Sequence, residues 1–290
     1  MAIPETQLET WSHQGSITNS ANTGNSIKNA IDAFQGFPDG INYNVYLQGS
    51  YKNSTNVYGD SDVDVVVELT SSFYNNLTDA QKASLGLTTA AYGYYRFRDD
   101  VETCLRAYYG TANVETGNKV FKIAPNTNRL PADVLVCSEY RLYYGTLHAN
   151  RYHTGIAFYT RNEGQWVVNF PKTHSENATA KHQATNSWLK PTVRIFKNIR
   201  KYMTANNGFN KSIAPSYFIE CLISNIPNNQ FGTNYQTTVI NCHNYLTQNS
   251  MDDFMCLNGI RPLWGDSNEN WNQDDAKYFL EQIVQLWNNW

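Results

Sequence analysis

Asp62 and Asp64 stand two residues apart in the apolar run "DVDVVVEL", and eleven residues separate Asp62 from the Gly49-Ser50 pair of "YLQGSYKNST". In an extended strand, residues two apart project to the same side, so the two carboxylates point together while Val63 and Val65 face the core. About 7 Å apart along one strand face, they repel each other unless a positive charge lies between them. Magnesium meets that need, because it takes octahedral oxygen ligands and is often held by a few carboxylates plus substrate phosphates. Asp133, a lone acid opening the β-branched run of "LPADVLVC", would complete such a cage. Glycine lets backbone amides approach an anion, and the Ser50 hydroxyl can donate to a phosphate oxygen. The chemistry this predicts is a metal held against a nucleotide triphosphate. Taken singly, a D-x-D pair reads as a solvated strand end and a Gly-Ser pair as an ordinary turn. Their order and spacing, with a later strand aspartate, carry the weight.

The elements around these residues alternate in character. "NTGNSIKNAIDAF" sets Ile27, Ile31 and Phe34 at helical spacing. "NYNVYLQGS" reads as a strand ending in the Gly-Ser loop, and "DVDVVVEL" as the next strand. Thr78 and Gln81 in "LTDAQKAS" have capping-box spacing. "RFRDDVETCLRAYYG" places Phe97, Val101, Cys104, Leu105 and Tyr108 on one helical face and stops at Gly110. "NKVFKIA" and "ADVLVCSEY" read as strands, and "GIAFYTRNEGQWVVNF" as a hairpin turning at Asn162-Glu163-Gly164. Beyond Pro171, "KPTVRIFKNIRKYM", "APSYFIECLISNIP", "NYQTTVINCHNYL" and "DDAKYFLEQIVQLW" are all helical patterns, with Pro191 and Pro215 placed in first turns. The fold class is therefore α+β: a mixed β-sheet core with N-terminal helices, followed by a helical bundle. The boundary falls between about 160 and 180.

With 290 residues the chain suffices for one large domain or two sharing an interface, and 41% apolar residues supply a sizeable core. A formal charge of −3 argues against a protein that grips duplex nucleic acid through many phosphates. Five scattered cysteines, none in a C-x-x-C pair, read as small buried hydrophobes in a reducing compartment. No zinc site is expected from six histidines that do not cluster with them. Neither a leader pattern nor a membrane-length apolar run stands out, so a cytoplasmic protein is expected, with no membrane partner.

The pattern "QGSYKNSTNVYGDSDVDV" resembles the nucleotidyltransferase superfamily of DNA polymerase beta. More narrowly, the chain resembles the bacterial cGAS/DncV-like nucleotidyltransferases (CD-NTases), and among them the CdnE-like group. "LQGSYKNST", "GDSDVDVVV", "LPADVLV", "WVVNFPK", "KPTVRIFKN" and "APSYFIECLISNIP" carry that resemblance, which covers essentially the whole length. It implies a two-lobed fold: a nucleotidyltransferase core at 1–165, a helical lobe at 166–290, an N-terminal helix packing on the second lobe, and an active site in the cleft between lobes. The implied activity joins two ribonucleoside triphosphates, UTP and ATP among them, into a cyclic second messenger of anti-phage (CBASS) signalling. Cyclic UMP-AMP or cyclic di-UMP is the expected product. Two magnesium ions, with manganese as a substitute, are the implied cofactor. The diffusible product would reach a downstream effector, and the enzyme is expected to act as a monomer without a nucleic-acid partner.

Position by position, the resemblance implies that Gly49 and Ser50 cradle the donor triphosphate and that Asp62, Asp64 and Asp133 are the magnesium-binding carboxylates. It implies that Lys197 of "RIFKN" reaches the phosphates, that Ser216 contacts phosphate, that Tyr217 stacks on the donor base, and that Asn169 of "WVVNFPK" reads a base edge. Without the resemblance these residues have plainer readings. Lys197 shares its helix with Arg194, Arg200 and Lys201 and would be a solvated face; Tyr217 would be core, Ser216 a first-turn residue and Asn169 a strand end. Lys52, beside Ser50, reads equally as a phosphate ligand or an exposed side chain. Asp60 reads as a turn residue, with support of the neighbouring metal ligands as the alternative, and the histidines, His174 and His182 included, show no partner pattern. Two other classes compete: a nucleotidyltransferase acting on RNA or protein, which would label macromolecules from ATP, and a non-catalytic nucleotide sensor, which would bind without releasing pyrophosphate.

Overall fold

Val65, Val66 and Val67 are all buried, which is what a strand covered on both faces requires. The computed structural model describes residues 2–15, 18–59, 62–146, 150–267 and 269–290, so Asp60 lies outside the described residues. Along the chain run α1 (Glu5–Ser12), α2 (Thr18–Asp32), β1 (Tyr43–Leu47), α3 (Gly49–Asn53), β2 (Val63–Asn75) and α4 (Asp79–Ser84). Then follow α5 (Tyr94–Tyr109), β3 (Val114–Thr116), β4 (Phe121–Ile123), β5 (Ala132–Tyr143), β6 (Tyr152–Tyr159) and β7 (Trp166–Asn169). The remainder is helical: α6 (Pro171–Ala184), α7 (Leu189–Asn206), α8 (Ser216–Ser224), α9 (Tyr235–Gln248) and α10 (Gln273–Asn289).

The chain divides into two compact units. One holds Ile17–Gln48 and Asp62–Pro171 and carries the sheet; the other holds Met1–Ser16, Gly49–Ser61 and Lys172–Trp290. A break at residue 165 would part β7 from β6, to which it is hydrogen-bonded antiparallel from Ile156↔Asn169 to Tyr159↔Trp166. The sheet ladder carries the division to Pro171.

In the sheet unit the strand order is β1-β2-β5-β4-β3, with β6 on β5 and β7 on β6. β2 and β5 run parallel and the other pairs antiparallel. Phe97, Val101, Cys104 and Leu105 of α5 are buried as their spacing predicts, and the helix stops at Gly110 with φ +85°. Tyr108 departs from that face. It is 53% exposed, its ring packed edge-on against Tyr109 in the last turn. The capping box at α4 forms, Thr78 accepting from the Gln81 N–H while the Gln81 side chain accepts from the Thr78 N–H. Gly155 on β6 is demanded by close approach: a Cβ there would lie 2.6 Å from the Asn169 carbonyl oxygen and 2.8 Å from the Phe170 ring. Gly155→Ala is expected to cost about 1–3 kcal/mol through overpacking. A calorimetric midpoint equal to that of the native chain would show that β7 yields freely.

In the helical unit, Ile3 and Leu8 join one apolar core with Val193, Phe196, Ile199 and Met203 of α7 and with residues of α8, α9 and α10. Pro191 sits in the first turn of α7, as expected. Pro215 instead lies just outside α8, at its N-cap with a ψ of 146°. All five cysteines are buried and none is in a disulfide. Among the described residues, no helix is long and apolar enough to cross a membrane.

Candidate active site

Asp64 and Asp133 are direct Cα partners in the parallel β2/β5 ladder. Residues in register on neighbouring strands share a face, so the carboxylates of two segments far apart in sequence stand side by side. Continuing across the sheet, Lys122 of β4 is the partner of Asp133, and Glu115 of β3 is the partner of Lys122. Asp62, two residues before Asp64 and exposed, lines a cavity of about 250 Å³ together with Asn113, Glu115, Lys122, Pro131 and Asp133. Burial pushes the Asp133 carboxyl above its ordinary value; the charge of Asp62 adds to this, and that of Lys122 opposes it. Asp62 and Asp133 thus line one cavity, and Asp64 neighbours Asp133 across the ladder.

Magnesium fits this donor set, which is all hard oxygen with no thiolate or imidazole. Among the described residues, no group of three or more His, Cys, Asp and Glu side chains stands as a finished metal cage. Magnesium does not need one, since it ordinarily completes its shell with water and substrate phosphates.

The Gly49-Ser50 segment, expected as a loop, is a one-turn helix, α3. Gly49 opens it at φ +65°, a left-handed conformation that side chains with a Cβ rarely adopt. The Thr55 N–H closes the turn by donating to the Ser50 carbonyl at 2.9 Å. Ser50 is half-buried and Lys52 exposed. Lys190, half-buried at the start of α7, has its ammonium held below the ordinary value by burial first, then by the charges of Arg194 and Lys52, with Glu220 opposing. A cluster of cations on one unit, around a turn that begins with glycine, suits an anion.

Lys197 corrects an expectation. It is not the solvated helix residue that its charged neighbours suggest, being 1% exposed. Its ammonium donates to Glu220 Oε1 at 2.6 Å, to Thr55 Oγ1 at 3.2 Å and to the Thr55 carbonyl at 3.3 Å. An ammonium has three N–H donors, and all three are engaged inside the protein. Ser216 accepts from Arg200 Nη2 at 3.1 Å, and Arg200 also holds the Ala214 carbonyl at 2.7 Å. Tyr217 is 40% exposed, so its ring is available on one side, while the other stacks on His174 at 5.2 Å and 27°. Burial of its hydroxyl end, followed by the neighbouring Cys221 and Cys256, pushes the phenol far above its usual range. Asn169 is exposed at the end of β7.

Three comparisons bear on this arrangement. Residues 176–288 match the family model for the cGAS/DncV-like nucleotidyltransferase C-terminal helical domain. The cyclic UMP-AMP synthase of Rhodothermus marinus is 46% identical over 291 residues, covering 100% of this chain and 99% of that protein. This chain is a cGAS/DncV-like nucleotidyltransferase of the CdnE-like group. A second member, the cyclic nucleotide synthase CdnE01 of Staphylococcus haemolyticus, is 37% identical, with 100% of each chain covered. Among solved structures, the Rhodothermus marinus CdnE c-UMP-AMP synthase with Apcpp and Upnpp superposes with a TM-score of 0.93, covering 99% of this chain and 97% of that one at 46% identity. The Elizabethkingia meningoseptica CdnE synthase with GTP and Apcpp gives a TM-score of 0.78 at 29% identity, with 98% of each chain covered.

Several residues around these two groups, one in each unit, were silent in the sequence. Lys122 lies in "NKVFKIA", where only strand pairing sets it beside Asp133. Lys190 opens a helix pattern, and Glu220 and His174 lie in segments that read as ordinary helix. For none of them did residue type and spacing offer a signal, because their partners lie in other parts of the chain.

Proposed function

We propose that this CdnE-like nucleotidyltransferase joins two ribonucleoside triphosphates, UTP and ATP or two UTP, into a cyclic dinucleotide with release of pyrophosphate. The observation that carries the reading is the β2/β5 register that sets Asp64 beside Asp133, with Asp62 close enough to raise the Asp133 carboxyl. The full-length likeness to a cyclic UMP-AMP synthase supports the product class. In each transfer a ribose hydroxyl attacks the α-phosphorus of a donor triphosphate, a P–O bond forms, and the bond to pyrophosphate breaks.

Asp62, Asp64 and Asp133 hold the magnesium. Bound there, the metal supplies phosphate charge neutralisation and a lowered pKa for the attacking hydroxyl. Gly49 and Ser50 orient the triphosphate through backbone amides and a hydroxyl, and Lys52 and Lys190 supply cations. Ser216 offers a further hydroxyl, Tyr217 its open ring face to a base, and Asn169 an amide that pairs with the donor and acceptor of a uracil edge. Catalysis of this kind is mostly positioning and charge neutralisation. CBASS signalling through a diffusible product is the role this reading assigns.

The test is incubation of purified protein with all four radiolabelled ribonucleoside triphosphates and magnesium, with and without UTP. A phosphatase-resistant, UTP-dependent small product, identified by mass spectrometry, is expected. Label retained on macromolecules would point instead to transfer onto RNA or protein.

A further inference from the structure

The segment following the Gly-Ser turn, "NST" at 53–55, is tied down at every residue. Ser54 has φ +57°, a left-handed conformation unfavourable for a side chain with a Cβ, and such geometry persists only where the surroundings enforce it. The Arg194 guanidinium of α7 donates to the Ser54 carbonyl. Asn53 Nδ2 donates to Glu220 Oε2 at 3.2 Å, and the Thr55 hydroxyl donates to Glu220 Oε1 at 2.5 Å. Lys197 reaches Thr55 as well as Glu220, and His174 Nε2 lies 2.9 Å from Glu220 Oε2. One residue on, Gln14 Nε2 donates to Asn56 Oδ1 at 2.8 Å. Asn53, Thr55, Asn56, Lys197 and Glu220 are all buried.

We infer that Glu220, through Thr55 and Asn53, is a positioning residue that locks the Gly49-Ser50 turn into its anion-binding shape, so that affinity for nucleoside triphosphate depends on a buried carboxylate with no ligand contact of its own. The inference rests on the nucleotidyltransferase reading above. The physical reason is preorganisation. A one-turn helix has too few internal hydrogen bonds to hold itself, and a turn that fluctuates loses affinity in ordering its amides around phosphate. Four side chains of the helical unit, Arg194, Lys197, Glu220 and Gln14, remove that freedom in advance.

Thr55→Val removes the hydroxyl at nearly constant shape and leaves the Lys197–Glu220 pair intact, while Thr55→Ser restores the hydroxyl. Steady-state kinetics in UTP, with calorimetry on the same samples, separate positioning from stability. Thr55→Val is expected to raise KM about tenfold, the scale of losing a hydrogen bond to a charged group, with kcat within about threefold. Thr55→Ser is expected to return KM to near the native value, and Asn53→Ala to move it in the same direction as Thr55→Val. A Thr55→Val enzyme with native KM overturns the clamp even if its midpoint falls, and so does a Thr55→Ser enzyme as impaired as Thr55→Val. If the native chain itself yields no nucleotide product, the nucleotidyltransferase reading fails, and the clamp with it.

Discussion

Asp133→Asn is expected to lower product formation by about 10³-fold or more, the scale of removing a principal electrostatic element from a preorganised site, with the fold intact. Asn keeps the size of Asp and one oxygen but loses the charge that would hold a cation beside Asp64. The stability change should run opposite to the activity change. Burial and the Asp62 charge raise the Asp133 carboxyl above its ordinary value. A group raised in this way contributes stability that is present below its unfolded pKa and is lost as pH rises through the folded value. At neutral pH the native chain therefore already bears the cost of ionising Asp133, and the neutral amide removes it. The thermal midpoint of Asp133→Asn should equal or exceed that of the native protein. Pyrophosphate release and calorimetry on one preparation measure both effects. More than about a tenth of native activity in this variant would defeat the carboxylate assignment.

The second large effect is on stability. Glu220→Gln is expected to cost about 3–5 kcal/mol, because it leaves the buried Lys197 ammonium without its carboxylate. Burial by itself pushes Glu220 up, but the Lys197 charge and the hydrogen bond with His174 together hold the carboxyl well below its ordinary 4.5. A carboxylate depressed in the folded state contributes stability that is present above its unfolded pKa and is lost as pH falls toward the folded one. The native chain should thus lose stability on acidification from about pH 5 downward, while the Gln variant lacks that component. Urea unfolding of both proteins at about pH 7 and about pH 3 should show the gap between them narrowing in acid. A gap that stays constant would mean that the pair is not what stabilises the native chain. Replacing both partners, as Glu220→Leu with Lys197→Met, should recover much of the loss, since a well-packed apolar pair escapes desolvation.

The two effects fall on different links of the chain from sequence to function. Under the proposed function, the charge of Asp133 serves the chemistry at a cost to folding. Glu220 is fully satisfied inside the fold, and its influence on chemistry passes through the turn it holds.

Much of this was legible in residue order. The period-two pattern of "DVDVVVEL" placed Val63 and Val65 in the core and sent the acids the other way, and both valines are buried. Helix stops at Gly110 and the Thr78–Gln81 capping box follow from local backbone chemistry, which acts over a few residues and so is written in a few residues. That three aspartates were candidates, and that a glycine opened the turn, came from the same local logic.

Tertiary structure decided what local chemistry cannot. Strand register placed Asp133 beside Asp64, nearly seventy residues away in the chain, and Lys122 of the neighbouring strand beside Asp133. Burial made Lys197 the partner of Glu220 instead of a solvated helix residue, because whether an ammonium faces water or a carboxylate depends on what packs over its helix. Side-chain type sets what a residue is able to do; which charge it meets is settled only when distant segments close around it.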